Sequence, residues 1–182
     1  MTSGRSQEPS FHDLLLVDDD AAFRKVYRSL LEEAGYRVAE AVDRESARSA
    51  VRKRLFAVVL LDLMLPPDGQ VEPGLAQLGD LLGRRPEMKV VVVSGAGDLP
   101  NMVQAVRSGA YDFLTKPVDP DVLLIVVQRA MARFVLERQL QQLRSSLDEV
   151  RPGAVMLGTS PAFLEAVSLA ERVGTSPLPV LI

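Results

Sequence analysis

The 182-residue chain contains no cysteine, no excess of basic residues and no long apolar run. Without cysteine it can form neither a disulfide framework nor a thiolate metal site. The longest apolar runs, such as 55–61, are far shorter than the roughly 20 residues of a membrane-spanning helix. The first ten residues, MTSGRSQEPS, lack the apolar core of a signal peptide. These absences predict a cytoplasmic protein that is not anchored in a membrane.

Charge and length further restrict the function and the number of domains that the chain can have. The 21 Lys and Arg residues are scattered along the chain and are outnumbered by 24 Asp and Glu residues, which gives a net charge of -3. This chain therefore has no electrostatic footprint for nucleic acid, and any DNA contact is expected to lie elsewhere. The length suits one domain with an appendage, and hardly two full domains.

Short β-branched runs alternate regularly with amphipathic segments along the first two thirds of the chain. Connections of this length between strands imply parallel pairing, with helices on both faces of the sheet. The pattern predicts an α/β fold, a doubly wound five-stranded parallel sheet. The predicted strands are 14–17, 36–41, 56–61, 89–94 and 111–115, and the predicted helices are 20–34, 43–54, 74–84, 100–108 and one from about 119.

The last predicted helix is long. It begins as an ordinary domain helix whose apolar run 122–127 is expected to face the sheet, and its far half has a composition of its own. From Arg129 to Val150 there is no glycine or proline, and apolar residues recur at the heptad spacing of a coiled coil. Two heptads fall short of the three or four that secure this interpretation, so a surface helix packed on its own domain is the alternative. The apolar positions are Leu136, Leu140, Leu143, Leu147 and Val150.

Acidic residues follow two of the predicted strands, at the edge where doubly wound sheets bind ligands. Asp18, Asp19 and Asp20 follow the first strand, and Asp62 closes the third. One carboxylate explains a helix N-cap, whereas three exceed that need. Two carboxylates about 4 Å apart repel by roughly 4 kcal/mol at an effective dielectric of 20. A cluster of Asp18, Asp19 and Asp62 therefore predicts a bound cation, and all-oxygen ligands suit Mg²⁺.

Two further strand ends add a hydroxyl and an ammonium group to the same edge. Ser94 follows VVVV, and Lys116 follows the fifth strand. Taken alone, Ser94 could be an ordinary turn residue and Lys116 a solvated surface lysine. Together with the acids they are the parts needed to move a phosphoryl group onto an aspartate and hold its charge.

Four motifs, LLLVDDD, VVLLDLMLP, VVVVSG and GAYDFLTKP, resemble the receiver domain of bacterial two-component response regulators over about residues 12–130. The resemblance implies that Asp62 accepts the phosphoryl group, and that Mg²⁺ is held by Asp19, Asp62 and the backbone carbonyl of Met64, with Asp18 acting through water. It also implies a cis peptide before Pro117. The remaining implied roles are a switch hydroxyl, a switch aromatic and a phosphate-binding lysine, carried by Ser94, Phe113 and Lys116.

The segment after Asp62 departs from the receiver pattern. PPDGQVEPG, residues 66–74, is longer than the usual turn and is similar to the enlarged loop of regulators associated with exopolysaccharide and PEP-CTERM sorting systems. This departure puts the local shape of the third helix in doubt.

The tail resembles a different domain. VMLGTSPAFLEAVSLAERVGTSPLPVLI looks like the opening of the AAA+ ATPase domain of NtrC-type activators, which work with the sigma-54 form of RNA polymerase. We expect a fragment of a longer transcription activator, truncated at the start of that domain. The expected organisation is a disordered N-terminus at 1–11, a receiver domain at 12–128, a linker helix at 129–150 and the start of the AAA+ domain at 151–182.

The resemblance implies a phosphorylation-dependent switch rather than an enzyme. Its expected partners are a sensor histidine kinase, a second copy in a homodimer, and, for the full-length protein, sigma-54 RNA polymerase and DNA. A phosphatase that forms an aspartyl phosphate would need a carboxylate where Met64 stands. A dinucleotide site at Gly95 fails because Pro100 replaces the third glycine, and an ATP loop at 74–79 fails because Asp80 replaces lysine. A receiver fold used only as a dimerisation or interaction module, without phosphotransfer, is the alternative function.

Overall fold

The computed structural model describes residues 12–65, 71–95 and 99–149, together with residues 160 and 165. Five strands form one parallel sheet in the order β2-β1-β3-β4-β5. This is the predicted doubly wound fold, in which the strand order reverses between β1 and β3. The strands are β1 (Asp13–Val17), β2 (Arg37–Ala41), β3 (Val58–Asp62), β4 (Lys89–Ser94) and β5 (Asp112–Thr115).

Five helices connect or follow the strands and cover both faces of the sheet. Because successive side chains of a strand point to opposite faces, the apolar strands contribute side chains to two separate cores, one on each face of the sheet. Leu15 and Val17 of β1 belong to one core, and Leu14 and Leu16 belong to the core that α1 and α5 cover. The helices are α1 (Ala21–Glu33), α2 (Arg44–Lys53), α3 (Val71–Arg84), α4 (Leu99–Arg107) and α5 (Pro120–Glu149).

Two elements begin more than one residue away from the predicted position. β3 begins at Val58 rather than at residue 56, and it ends at Asp62 rather than at residue 61. α3 begins at Val71 rather than at residue 74, so the end of the long segment after Asp62 is helical. Pro73 lies in the first turn of α3, where a missing backbone N–H breaks no helical hydrogen bond. Residues 66–70 lie outside the described part of the chain.

Gly74 lets α3 approach the backbone that follows β3. A Cβ atom at position 74 would lie 2.2 Å from the carbonyl oxygen of Leu63 and 2.7 Å from its Cα atom. Only glycine fits this approach without a backbone shift. Two other glycines end helices at positive φ: Gly35 after α1 and Gly109 after α4.

The part of α5 up to Phe134 packs on the sheet. The expectation that 122–127 faces the sheet is wrong for Val122 and Ile125, which are 45% and 56% exposed. A helix turns once in 3.6 residues, so six consecutive side chains cannot share one buried face. The buried side of α5 instead carries Leu123, Val126, Val127, Ala130, Met131 and Phe134.

The leucines of the heptad pattern are exposed where the structure describes them. Leu136, Leu140 and Leu143 are 49%, 47% and 62% exposed. The structure does not describe the side chain of Leu147 or residue Val150. It also does not describe the segments 1–11 and 151–182, apart from residues 160 and 165. The chain divides into two compact units, Met1–Gln141 and Gln142–Ile182. Among the described helices, none combines the length and apolarity of a membrane span.

Candidate functional site

The register of the sheet brings the predicted site residues to one edge. Val17 of β1 pairs with Leu61 of β3, so the next residues, Asp18 and Asp62, lie side by side. Asp62 in turn pairs with Val93 of β4, the residue before Ser94. Ser94 pairs with Thr115 of β5, which is followed by Lys116. All of these residues lie at the carboxyl ends of their strands, the ligand-binding edge of a doubly wound sheet.

Three carboxylates meet at this edge. Oxygen atoms of Asp18, Asp19 and Asp62 all lie within 4.8 Å of one another, so the predicted acidic cluster is confirmed. Asp18 and Asp62 are buried, at 1% and 5% exposure, and Asp19 is exposed to solvent. Burial raises the pKa of Asp18, although the neighbouring Lys116 acts in the opposite direction. A donor set of carboxylate oxygens with an open side fits a hard divalent cation such as Mg²⁺.

Asp20, the third acid after β1, has a structural role. Its side chain is the N-cap of α1 and accepts hydrogen bonds from the backbone amides of Ala22 at 2.8 Å and Phe23 at 3.3 Å. These hydrogen bonds hold the pKa of Asp20 below its ordinary value. Asp20 therefore caps α1, and Asp18 and Asp19 are not needed for this cap.

Lys116 bridges the two buried carboxylates. Its Nζ atom lies 2.6 Å from Oδ2 of Asp62 and 2.7 Å from Oδ2 of Asp18. Burial alone would lower the pKa of Lys116, but the hydrogen bonds and charges of both carboxylates outweigh it, and the pKa is raised. The predicted cis peptide between Lys116 and Pro117 is present, and the Lys116 amide donates to the carbonyl of Ser94 at 2.7 Å.

Asp62 is held through both of its side-chain oxygens. Oδ2 accepts from Lys116, and Oδ1 accepts a 2.8 Å hydrogen bond from the backbone amide of Met64. This bond fixes the backbone of Met64 beside the cluster, where the resemblance places a carbonyl ligand for Mg²⁺. The metal-ligand role of that carbonyl stays a prediction.

The two predicted switch residues are buried. Ser94 is fully buried at the end of β4, and Phe113 of β5 is 9% exposed. The Phe113 ring belongs to the core on the face of α2, α3 and α4. Ser94 lies at the site edge of β4, and Phe113 lies three residues before Lys116 in the chain. The switching roles of both residues stay predictions.

Three residues of α1 that the sequence analysis did not single out also line this edge. Lys116 Nζ lies 4.6 Å from the centre of the Phe23 ring. Arg24 Nη1 donates to the carbonyl of Asp18 at 2.7 Å, and the Tyr27 hydroxyl donates to the carbonyl of Val118 at 2.5 Å. The available signal was the four-residue spacing of Phe23 and Tyr27, which places both aromatic rings on one face of α1.

A buried aspartate that closes a central parallel strand, flanked by acids and bridged by a lysine, is the arrangement that the resemblance to receiver domains implies. Comparison with known families agrees, because residues 14–128 match the response regulator receiver domain. The chain belongs to this family.

Individual relatives extend the similarity beyond the receiver domain. The nitrogen assimilation regulatory protein NtrX of Azorhizobium caulinodans is 30% identical over 94% of this chain and 36% of its own length. The alginate biosynthesis transcriptional regulatory protein AlgB of Pseudomonas aeruginosa is 32% identical over 93% of this chain and 36% of its own length. This chain therefore spans about a third of the length of these relatives.

Solved structures agree with the fold. NtrX from Brucella abortus superposes with a TM-score of 0.67 at 35% identity, over 90% of this chain and 35% of that one. A CheY-like receiver domain protein from Methanospirillum hungatei superposes with a TM-score of 0.64 at 30% identity, over 70% of this chain and 99% of that one.

Proposed function

We propose that this chain is switched by phosphorylation of Asp62. The observation that carries the proposal is the position of the Asp62 carboxylate, which lies in a cluster of three acids and 2.6 Å from the ammonium group of Lys116. The cluster can hold a cation, and the lysine can bind a phosphoryl oxygen. Family membership supports the same function, since the chain is a response regulator receiver.

In the proposed step, a carboxylate oxygen of Asp62 attacks the phosphorus atom of a sensor kinase phosphohistidine or of a small donor such as acetyl phosphate. The bond from phosphorus to the histidine nitrogen, or to the acetate oxygen, breaks, and that atom keeps the electron pair. Lys116 and the hydroxyl of Ser94 then bind the phosphoryl oxygens. Asp19, Asp62 and the Met64 carbonyl would hold Mg²⁺, with Asp18 acting through water. When bound, Mg²⁺ supplies positive charge against the transferring group.

The proposed response is a shift between two packings of the same domain. Ser94 moves towards the phosphoryl group, and the space that it leaves allows the Phe113 ring to turn. Ser94 lies on β4 and Phe113 lies on β5, which contacts α4. The next residue of β5, Leu114, packs in the core that α5 covers. The surface formed by α4, β5 and α5 therefore changes with phosphorylation.

Intact-mass measurement with acetyl phosphate tests the phosphoacceptor. The wild type should gain one phosphoryl group with Mg²⁺ and none with EDTA, and Asp62→Asn should gain none. Asp20→Asn is the matched control, because asparagine also caps helices well and Asp20 lies outside the cluster. Equal incorporation into wild type and Asp62→Asn would contradict the assignment. A folded wild type that accepts no phosphoryl group would support the interaction-module alternative.

We further propose a homodimer formed through α5. Leu136 and Leu140, which follow the buried Phe134 in α5, are about half exposed. Leu136 lines an open groove of about 410 Å³ together with Tyr36 and Val135. A fully buried leucine contributes about 1.5–3 kcal/mol, so pairing several of them can offset the cost of association. The second copy supplies the same stripe, as twofold symmetry requires.

The full-length protein is proposed to be a sigma-54-dependent transcription activator that acts on DNA in the cytoplasm. This proposal is supported by the alignments, which extend over more than nine tenths of the chain and reach proteins called transcriptional regulators. It is also supported by the resemblance of the tail to the start of an AAA+ domain.

A further inference from the structure

We propose that Phe23 of α1 is a positioning residue for Lys116, and that Phe23 and Tyr27 together form an aromatic bracket that holds the loop carrying this lysine. The inference rests on the proposed function, because it concerns how Lys116 is presented to a phosphoryl group. Neither aromatic residue is part of the acid cluster or of the switch pair described above.

The first contact of the aromatic bracket is made with the lysine itself. The Nζ atom of Lys116 lies over the Phe23 ring, 4.6 Å from its centre, within the distance at which a ring face attracts a cation. The same ammonium group contacts Asp18 and Asp62. Lys116 is therefore confined between two carboxylates and one aromatic face, and its side chain is only 25% exposed.

The second contact is made two residues further along the chain. Tyr27 is 9% exposed and its hydroxyl donates a 2.5 Å hydrogen bond to the carbonyl of Val118. The rings of Phe23 and Tyr27 pack at 4.2 Å between their centres, with a tilt of 38°. One face of α1 thus contacts both the Lys116 side chain and the backbone of Val118. The two rings that make these contacts also pack against each other.

This arrangement matters because Lys116 has to exchange partners. An ammonium group has three donors and a flexible four-carbon stem. On phosphorylation, one donor must turn from a carboxylate to a phosphoryl oxygen. The ring face gives the ammonium a non-directional contact that persists while a hydrogen-bond partner changes, so Lys116 keeps its position without being locked onto Asp62.

A purely structural role predicts a different result, since Phe23 and Tyr27 also belong to the core beneath α1 and α5. In that case, loss of the Phe23 ring would lower stability without a specific effect on Lys116. A double-mutant cycle separates the two cases, because coupling appears only if the two residues act together.

The experiment measures the dissociation constant of beryllofluoride, a phosphoryl mimic, by calorimetry at saturating Mg²⁺. The variants are Phe23→Leu, Lys116→Met and the two combined, with Phe23→Tyr as the conservative replacement that keeps a ring face. Leu30→Ala is the matched control, because Leu30 lies in the same helix and packs on the same core, about two turns from Phe23. Thermal denaturation of every variant records stability separately.

We expect Phe23→Leu to weaken beryllofluoride binding about three- to tenfold, and Phe23→Tyr to bind nearly as well as wild type. In the Lys116→Met background, Phe23→Leu should cause no further loss. An equal loss in both backgrounds, or the same loss in Leu30→Ala, would overturn the proposal. If Phe23→Leu does not fold, Tyr27→Phe decides, because it keeps both rings and removes only the hydroxyl. Tyr27→Phe should weaken binding, and again only when Lys116 is present.

The result also separates this inference from the proposed function. A wild type that binds no beryllofluoride, and whose Lys116→Met variant behaves identically, refutes phosphorylation at Asp62 and the positioning role with it. A wild type that binds beryllofluoride through Lys116, with no change in Phe23→Leu or Tyr27→Phe, refutes the positioning role alone.

Discussion

Replacing Gly74 by alanine should destabilise the protein, although alanine is the better helix former. The added Cβ would lie 2.2, 2.7 and 2.8 Å from the oxygen, Cα and carbonyl carbon of Leu63. These are backbone atoms and cannot rotate away. Since contacts under 3.0 Å are essentially not tolerated, α3 or the Leu63 backbone has to move by at least about 0.8 Å, the difference between 3.0 and 2.2 Å.

Two opposing effects set the magnitude. Overpacking of this kind costs about 1–3 kcal/mol, and a clash with three backbone atoms belongs at the upper end of that range. Alanine gains about 1 kcal/mol in helix propensity over glycine. The expected net loss is therefore about 2 kcal/mol in the free energy of unfolding. Gly79 and Gly83 lie in the same helix, and a Cβ added at either position would meet no atom of the described residues within 4 Å, apart from its chain neighbours and the nearby backbone of its own helix. Alanine there should stabilise by up to about 1 kcal/mol.

Urea denaturation followed by circular dichroism measures all three variants under the same conditions. Gly74→Ala should unfold at the lowest urea concentration, and Gly79→Ala and Gly83→Ala at or above the wild-type midpoint. Because Leu63 directly follows Asp62, Gly74→Ala should also accept phosphoryl from acetyl phosphate more slowly under conditions where it is still folded. A Gly74→Ala variant as stable as Gly79→Ala would refute the close approach of α3 to Leu63.

Three further predictions concern a helix cap, the dimer and nucleotide binding. The hydrogen bonds from Ser46 hold the pKa of Asp43 below its ordinary value, so this cap stabilises the fold above the unfolded-state pKa and is lost as pH falls through the folded-state value. Asp43→Ala should cost about 1 kcal/mol at pH 7, and Asp43→Asn only a few tenths, by thermal denaturation. Light scattering with and without beryllofluoride should show a wild-type dimer that Leu140→Asp with Leu143→Asp disrupts; a wild type monomeric in both states at tens of micromolar would contradict this. The 182 residues contain no Gly-Lys-Ser/Thr loop, so calorimetry should detect no binding of Mg²⁺-ATP, and micromolar affinity would refute this reasoning.

The sequence was sufficient to predict the sheet and the acidic edge, because both depend on regular periodicity. Runs such as VVVV in β4 can only be buried strands, and parallel strands collect their carboxyl ends at one edge. Asp18 and Lys116 each follow a predicted strand and Asp62 closes one, so their meeting required no knowledge of side-chain conformation.

The sequence could not predict contacts that depend on how each helix is rotated about its axis and how closely it approaches the sheet. Gly69 and Gly74 both stand in the enlarged segment after Asp62, and only the distance to Leu63 shows the structural need for Gly74. The Phe23 ring reaches Lys116 because α1 turns that side towards the loop after β5, which no periodicity within α1 specifies. In the same way, the apolar run 122–127 of α5 does not reveal that Val122 faces solvent.

The charge of the site explains why the lysine has to be both held and exchangeable. Three carboxylates and one ammonium group leave two negative charges at the sheet edge, which a divalent cation matches. A phosphoryl group on Asp62 replaces one negative charge by about two, so the site gains about one negative charge, and a cation that turns towards the new oxygens stabilises it. Lys116 is within 2.7 Å of both buried acids and can do so by rotating its own bonds. The contacts of α1 with Lys116 and Val118 therefore hold the lysine close to the phosphorylation site. They do not involve the carboxylate of Asp62, which stays free to react with the phosphoryl donor.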